Sequence, residues 1–501
     1  MNHVRLLASV AAASFLLTTG PLETAYAHRG GVPGIKVKVK DIRKHQAALQ
    51  KAANQNNGTR ASGTPGFEAS VAYVKGRLQS SGFTVVEQVF DFPFFQEFSP
   101  PVLQQTSPVA IDYVAGTDMD TMQYSGAGDV TAPLTAVDLV LPPTPAPSST
   151  SGCEAADFAG FPAGNIALIQ RGGCTFADKA ANALSAGASA VIIFNEGNPG
   201  RTELLQGTLG GPIALPVLGT TFALGNDLAT TAAVSLHVKT DTESSVKQTK
   251  NVIAELPGGR ADKVVVVGAH LDSVLEGAGI QDNGSGSAMN LEIALRMKKH
   301  HLRNRNKVRF IWFGAEESGL LGSEYYVTSL TDTERGNIML NLNFDMVASP
   351  NFVRFVYDGD GSDTPDAGPV GSDVIEKVFN GFFKWRHLPV EATAFDGRSD
   401  YGPFIDAGIP AGGLFTGAEA LKTPEQQAIF GGTAGVALDP CYHLACDTYA
   451  NNNEEALGQM SRAAAFTTMW FAYKDLDVKP PKGKKVSRAK SWLYKGGYLQ
   501  R

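Results

Sequence analysis

Hydrophobic and polar positions fall into two textures along the chain. From Asn251 to about Tyr473, short apolar runs alternate with segments whose apolar residues recur at helical spacing. The runs Val264 to Val267, Val308 to Phe313 and Ile338 to Phe344 are continuous and rich in β-branched and aromatic residues, so each reads as a strand buried on both faces. Val252 to Leu256 reads as a further strand, closed by the turn Pro257-Gly258-Gly259. Between the runs, Ala288, Leu291, Ala294 and Leu295 share one helix face, and Leu320 to Tyr326 continues as a helix. This alternation predicts an α/β fold: a mostly parallel, mixed sheet flanked by helices.

The amino-terminal part has a compatible pattern. Ile42 to Ala53 is polar and helix-prone, and Val71, Val74 and Leu78 mark a helix within Glu68 to Ser81. Phe83 to Phe90 reads as a strand. These elements could open the same α/β domain, giving a discontinuous unit of residues 28–107 and 249–474. Residues 108–248 have the second texture. Short strands at Leu134 to Leu141, Ile166 to Ile169, Ala190 to Phe194 and Pro216 to Leu218 are separated by Gly, Pro, Ser and Thr, with one alanine-rich helix at Phe176 to Ala186. This is a β-rich insert, without a cluster of acid, base and nucleophile.

The first 27 residues read as a signal peptide: Arg5, the apolar stretch Leu6 to Leu17, and Ala25-Tyr26-Ala27 as cleavage site. The apolar stretch is too short to span a bilayer, and no later segment is apolar enough. The expectation is a secreted, extracellular protein without a membrane span. Its 4 cysteines then favour disulfides, and proximity pairs Cys153 with Cys174 and Cys441 with Cys446. A net charge of -6 shows no basic excess to suit nucleic acid. Residues 475–501 turn Lys- and Pro-rich, as in a flexible tail or a basic anchor to a cell envelope.

Candidate chemistry sits where three of the strands end. The first leads to His270, the second through Gly314-Ala315 to Glu316-Glu317, and the third to Asp345. Ligands in open α/β sheets bind past the carboxyl ends of strands, so these groups could converge with Asp282 and His443 on one crevice. Imidazole nitrogen and carboxylate oxygen suit zinc. Two metals about 3.5–4 Å apart can share a carboxylate and polarise a carbonyl, which fits peptide hydrolysis. Adjacent Glu316 and Glu317 point in different directions, so one can bind metal while the other serves as a base. Asp272 is placed to accept the second imidazole N–H of His270.

Two resemblances follow from these residues. Gly152-Cys153, the stretch Ile166-Ala167-Leu168-Ile169-Gln170-Arg171-Gly172-Gly173-Cys174-Thr175-Phe176, and Gly187 to Phe194 resemble a protease-associated domain, which acts as lid, spacer or binding module in peptidases. His270-Leu271-Asp272-Ser273, Asp282-Asn283-Gly284-Ser285-Gly286, Gly314 to Ser323, Asn343-Phe344-Asp345-Met346 and Tyr442-His443 resemble, in order, the two-zinc aminopeptidases of metallopeptidase family twenty-eight. That resemblance implies a zinc exopeptidase-like fold acting on peptide or protein substrates. It implies two zinc ions bridged by Asp282. His270 and Asp345 would complete one site, and Glu317 and His443 the other. Glu316 would activate water, Tyr442 would hydrogen-bond the tetrahedral intermediate, and a Cys441–Cys446 disulfide would brace the loop.

Asp396-Gly397-Arg398-Ser399-Asp400-Tyr401 also resembles the family. Arg398 lines the substrate site or forms a structural Arg–Asp pair, and the sequence supports both. Phe395 and Phe415 shape a specificity pocket or pack in the core. The resulting expectation is an aminopeptidase that removes apolar N-terminal residues. A carboxypeptidase of the same family, a glutaminyl cyclase and an inactive binding protein are the alternatives. Against an acidic-substrate carboxypeptidase, only Arg171 and Arg201 lie between Pro108 and Gln248.

Overall fold

Val264 to Val267 occupy the middle of the strand Arg260–His270 and alternate between two cores. The computed structural model describes residues 32–476, so the signal peptide expected at 1–27 lies outside the described residues. Val265 and Val267 face the larger core with Phe310, Trp312, Leu340 and Leu342. Val264 and Val266 face the other, with Ile311, Phe313 and Tyr326. Burial on both faces explains why these runs are continuously apolar.

The strand pairs in parallel with Asn306–Phe313 on one side and Ile338–Phe344 on the other. Ile338–Phe344 pairs in parallel with Ala411–Phe415, and the short strands Phe355–Tyr357 and Glu391–Thr393 finish that edge. Helices cover both faces. Val39–Asn54, Pro65–Ser80, Gly284–Lys299, Ser372–Trp385 and Glu454–Tyr473 contribute to the larger core, so the amino-terminal helices pack into the same body as the central strands. Leu321–Ser329 and Gly402–Asp406 lie on the opposite face.

The expected strand at Phe83 to Phe90 is the start of a far longer one, Val85–Ser107, with 23 residues. It pairs antiparallel with Ser235–Glu255, from Val85 opposite Ala254 to Ser107 opposite Ser235. Pro93, Pro100 and Pro101 argue against so long a strand. The register shifts between Glu97 and Ser99 and between Ser99 and Val102, and these irregularities take up the Pro100-Pro101 pair. The resulting ribbon continues without a break past 248, where the texture of the sequence changes.

At its far end the ribbon carries the insert. Gly128–Ala136 pairs antiparallel with Ser235–Glu255, and Ile166–Gln170, Ala190–Phe194 and Val217–Thr220 follow in parallel. The strand expected at Leu134 to Leu141 is shifted towards the amino terminus, because Val140 gives its backbone N–H and carbonyl to the Gln170 side chain instead of to a strand. A helix not expected from the sequence, Phe222–Thr230, packs Leu224 and Leu228 beside Phe194. Cys153 and Cys174 form a disulfide with Cα atoms 5.7 Å apart.

Close to that disulfide, Lys179 is fully buried and donates to the Ser151 carbonyl. Burial pulls its pKa from the usual 10.5 down to about 8, against the opposing charges of Asp157, Asp178 and Glu196. Between those values the unfolded chain binds more protons than the folded one, so this lysine makes stability rise with pH across that window. Relative to Lys179→Met, the wild type should therefore gain in denaturation midpoint between pH about 8 and 10.5. A pH-independent difference between the two proteins would refute this reading of the lysine.

At the other end of the described residues, Asp475 pairs with Arg260 and Arg305, and Leu476 packs on the larger core. The remainder of the expected tail lies outside the described residues.

Candidate active site

The three strands ending at His270, Phe313 and Phe344 are adjacent and parallel, so the residues that follow share one edge of the sheet. Asp282 immediately precedes Asn283, which caps the helix Gly284–Lys299 by accepting from Gly286 N at 2.9 Å. Gly286 has no space for a side chain: a Cβ there would lie 2.2 Å from the Phe344 carbonyl oxygen. That close approach brings the helix start against the strand end carrying Asp345. His443 arrives from far along the chain, on the short loop closed by the Cys441–Cys446 disulfide.

All five residues expected to bind metal come together. His270 Nε2 lies 3.3 Å from Asp282 Oδ1 and 3.2 Å from Asp345 Oδ1. His443 Nε2 lies 3.2 Å from Asp282 Oδ2 and 3.1 Å from Glu317 Oε2. Asp282 thus turns one oxygen to each histidine. Glu316 stands slightly back, with Oε2 3.9 Å from His270 Nε2. Three non-glycine residues at or beside these groups adopt left-handed backbone conformations: Ala315 (φ 53°), Met346 (φ 49°) and His443 (φ 56°). Such strain is tolerated where the surrounding structure holds it, and here it aims side chains into one cleft.

Five carboxyl-bearing residues here, Asp272, Asp282, Glu316, Asp345 and Asp400, are buried, and Glu317 is half-buried. Burial lifts Glu316 well above the usual range despite the charge on His270, and it raises Glu317 as well. Burial also lifts Asp400 to about 7. Asp282 goes the other way: burial opposes its ionisation, but hydrogen bonds from His270 and His443 hold its pKa down. Against burial, Asp345 and Glu316 raise His270 well above its usual value. His443 is raised to about 11, again against burial, chiefly by Glu317. Such a surplus of buried negative charge is chemistry that divalent cations balance.

The donor set fits a cation by another measure. Ligand atoms of His270, Glu316 and Asp345, and of His270, Asp282 and Glu317, lie within 4.8 Å of one another. Glu317 Oε1 and Asp272 Oδ2 are buried with no hydrogen-bond partner among the described residues. Mixed nitrogen and oxygen donors suit zinc.

Around this centre, Asp272 Oδ1 stands 3.6 Å from His270 Nδ1, on the side expected for an orienting carboxylate. Ser399 donates to Asp345 Oδ2 at 2.6 Å. Arg398 pairs with Glu419 rather than with an aspartate, and also donates to the Tyr442 hydroxyl at 3.1 Å. Burial raises the Tyr442 pKa, so the phenol keeps its proton. Phe395 is fully buried between Tyr357 and Tyr401 and belongs to the core, whereas Phe415 is half-buried against Phe355. The sequence carries two glycosylation sequons, Asn57-Gly58-Thr59 and Asn283-Gly284-Ser285, and Asn283 is fully buried, which argues against use of the second.

Several contributors escaped the sequence reading. Asp447 accepts from the backbone N–H groups of Gln281 and Asp282 at 2.8 and 2.9 Å, and so ties the His443 loop to the Asp282 segment. Its position next to Cys446 was the available signal. Ser399 and Asp400 stood in a motif already singled out. Arg60 is fully buried and donates to the carbonyls of Leu271, Ala278 and Gly279 on the loop between His270 and Asp282. Nothing near Arg60 in the sequence marks it for that task. In the insert, Arg171 is engaged by Asn195 and Arg201 by Glu196.

Comparison with known proteins agrees with this arrangement. Residues 251–468 match the model of peptidase family M28, and residues 130–228 match that of the PA domain. The chain is 47% identical over 439 residues to an aminopeptidase of Pseudomonas aeruginosa, covering 87% of this chain and 81% of that protein. It is 41% identical over 437 residues to a probable leucine aminopeptidase 2 of Aspergillus fumigatus, covering 84% and 81%. Among solved structures, an aminopeptidase from Aneurinibacillus sp. strain AM-1 superposes with a TM-score of 0.64 at 28% identity, covering 89% of this chain and 97% of that one. A zinc aminopeptidase from Bacillus subtilis superposes with a TM-score of 0.58 at 26% identity, covering 86% and 95%.

Proposed function

The chain belongs to peptidase family M28 and is an aminopeptidase carrying an inserted PA domain, and we propose that it acts outside the cell on apolar N-terminal residues with two zinc ions and Glu316 as general base. The observation that carries the metal assignment is the double orientation of Asp282, with one oxygen beside His270 and the other beside His443. His270 and Asp345 would hold one ion, Glu317 and His443 the other, with Asp282 between them. Zinc bound there would polarise the scissile carbonyl and acidify water. The name of the Bacillus subtilis neighbour supports zinc as the metal.

The remaining roles belong to the chain's own groups. Glu316 takes a proton from the attacking water and returns it to the departing amine. Burial holds its pKa above the ordinary carboxylate range, which makes it a stronger base than an exposed glutamate. The Tyr442 hydroxyl donates to the oxyanion that develops on the substrate carbonyl. Asp272 orients His270, and Ser399 holds Asp345. The buried carboxylates also favour a substrate that presents a free ammonium group.

The fungal relatives' names, leucine aminopeptidase, support the apolar preference. Export is supported by the apolar Leu6 to Leu17 leader and by the pairing of all 4 cysteines in disulfides, which persist in oxidising compartments. No helix among the described residues is long and apolar enough to cross a membrane. A side-by-side assay of leucine anilide and its N-acylated counterpart tests the reading. The free amine should be hydrolysed and the blocked one left at background, whereas equal rates would overturn the proposal.

A further inference from the structure

We propose that Glu419 is a positioning residue: it clamps Arg398 so that the guanidinium occupies the Tyr442 oxygen as a donor and leaves the phenolic hydrogen to point at the substrate. This rests on the reading above, in which Tyr442 donates to the developing oxyanion.

The geometry comes from three separate parts of the chain. Arg398 follows the edge strand Glu391–Thr393, Glu419 follows Ala411–Phe415, and Tyr442 sits in the disulfide-closed loop. Glu419 takes both ends of the guanidinium fork, Oε1 from Nη1 at 2.7 Å and Oε2 from Nη2 at 3.3 Å. The same Nη2 lies 3.1 Å from the Tyr442 hydroxyl oxygen. A guanidinium has donors only, so in that contact the tyrosine oxygen must accept. The phenol has a single hydrogen, and it cannot also point at Arg398. The ring is held in place by His443, whose ring centroid lies 3.8 Å away at an interplanar angle of 25°.

Arg398 needs the clamp because its side chain is 34% exposed and otherwise free to turn into water. A planar fork bound at both ends is fixed in direction as well as in distance. A solvent-exposed ion pair contributes little to stability, so an effect on turnover would separate positioning from a merely structural role. Glu419 is itself 56% exposed, which makes its truncation tolerable to the fold.

The test is a double-mutant cycle on the zinc-loaded enzyme with leucine anilide: wild type, Glu419→Ala, Tyr442→Phe and the double variant, with unfolding midpoints measured alongside. Loss of one oxyanion donor should lower kcat about 10²-fold in Tyr442→Phe. Misplacing that donor should lower kcat about tenfold in Glu419→Ala with KM nearly unchanged. In the Tyr442→Phe background, Glu419→Ala should change kcat by less than about twofold, because the atom it acts through is gone. Wild-type turnover in Glu419→Ala, or an equal loss in both backgrounds, overturns the clamp and leaves the role of Tyr442 standing. Wild-type turnover in Tyr442→Phe overturns both.

Discussion

Glu316→Gln is expected to lower kcat about 10²–10⁴-fold, the range removed with a general base, while zinc content stays at the wild-type level. The two outcomes come apart because Glu316 is set back from the histidines. Its carboxylate approaches His270 at 3.9 Å, whereas Asp282, Asp345 and Glu317 stand at 3.1–3.3 Å from one or other imidazole. Glutamine preserves the shape and the buried packing, so folding should be intact. It cannot accept a proton, so the water would lose its base. Burial lifts the Glu316 carboxyl well above the ordinary range, which strengthens it as a base. Metal analysis and steady-state kinetics on one preparation decide the matter. Full turnover would remove Glu316 as base, and lost zinc would make it a ligand instead.

Removal of metal is expected to abolish activity altogether, with zinc alone restoring it. The residues that would hold the ions lie at the strand ends and on two distant loops, so a chelated protein should also lose part of its stability. A ligand that binds only the folded state contributes about 4 kcal/mol when its concentration is a thousandfold above Kd. The unfolding midpoint should fall on chelation and recover with zinc, in parallel with activity. Acid should weaken the metal, because protons on His270 and His443 compete for the same nitrogens. Turnover of leucine anilide that survives exhaustive chelation would sink the metal mechanism.

Much of this was legible in the sequence, for identifiable reasons. Val264 to Val267 and Ile338 to Phe344 are buried on both faces, so their composition alone announces them and places His270 and Asp345 at strand ends. The stretches harder to read were those whose partners lie far away. Arg60 serves a loop more than 200 residues on, and its donors go to backbone carbonyls, which leave no mark on residue type. Glu419 and Arg398 meet from positions 21 apart in the chain. Sequence pattern marks only the start of the strand Val85–Ser107, as Phe83 to Phe90, since Pro93, Pro100 and Pro101 lie beyond it and the irregular register around Pro100-Pro101 exists only with Ser235–Glu255 alongside.

That ribbon has a bearing on how such a polypeptide could be assembled from parts. Its strands enter and leave the PA domain side by side, so the two attachment points are a single strand spacing apart, about 4.8 Å. Phe94 faces Ser245 across the pair, and a tight two-residue hairpin joining them would leave the pairing from Val85 opposite Ala254 undisturbed. The outer module thus enters and leaves at one two-stranded seam, and Phe94 at that seam packs with Ala315, the neighbour of Glu316.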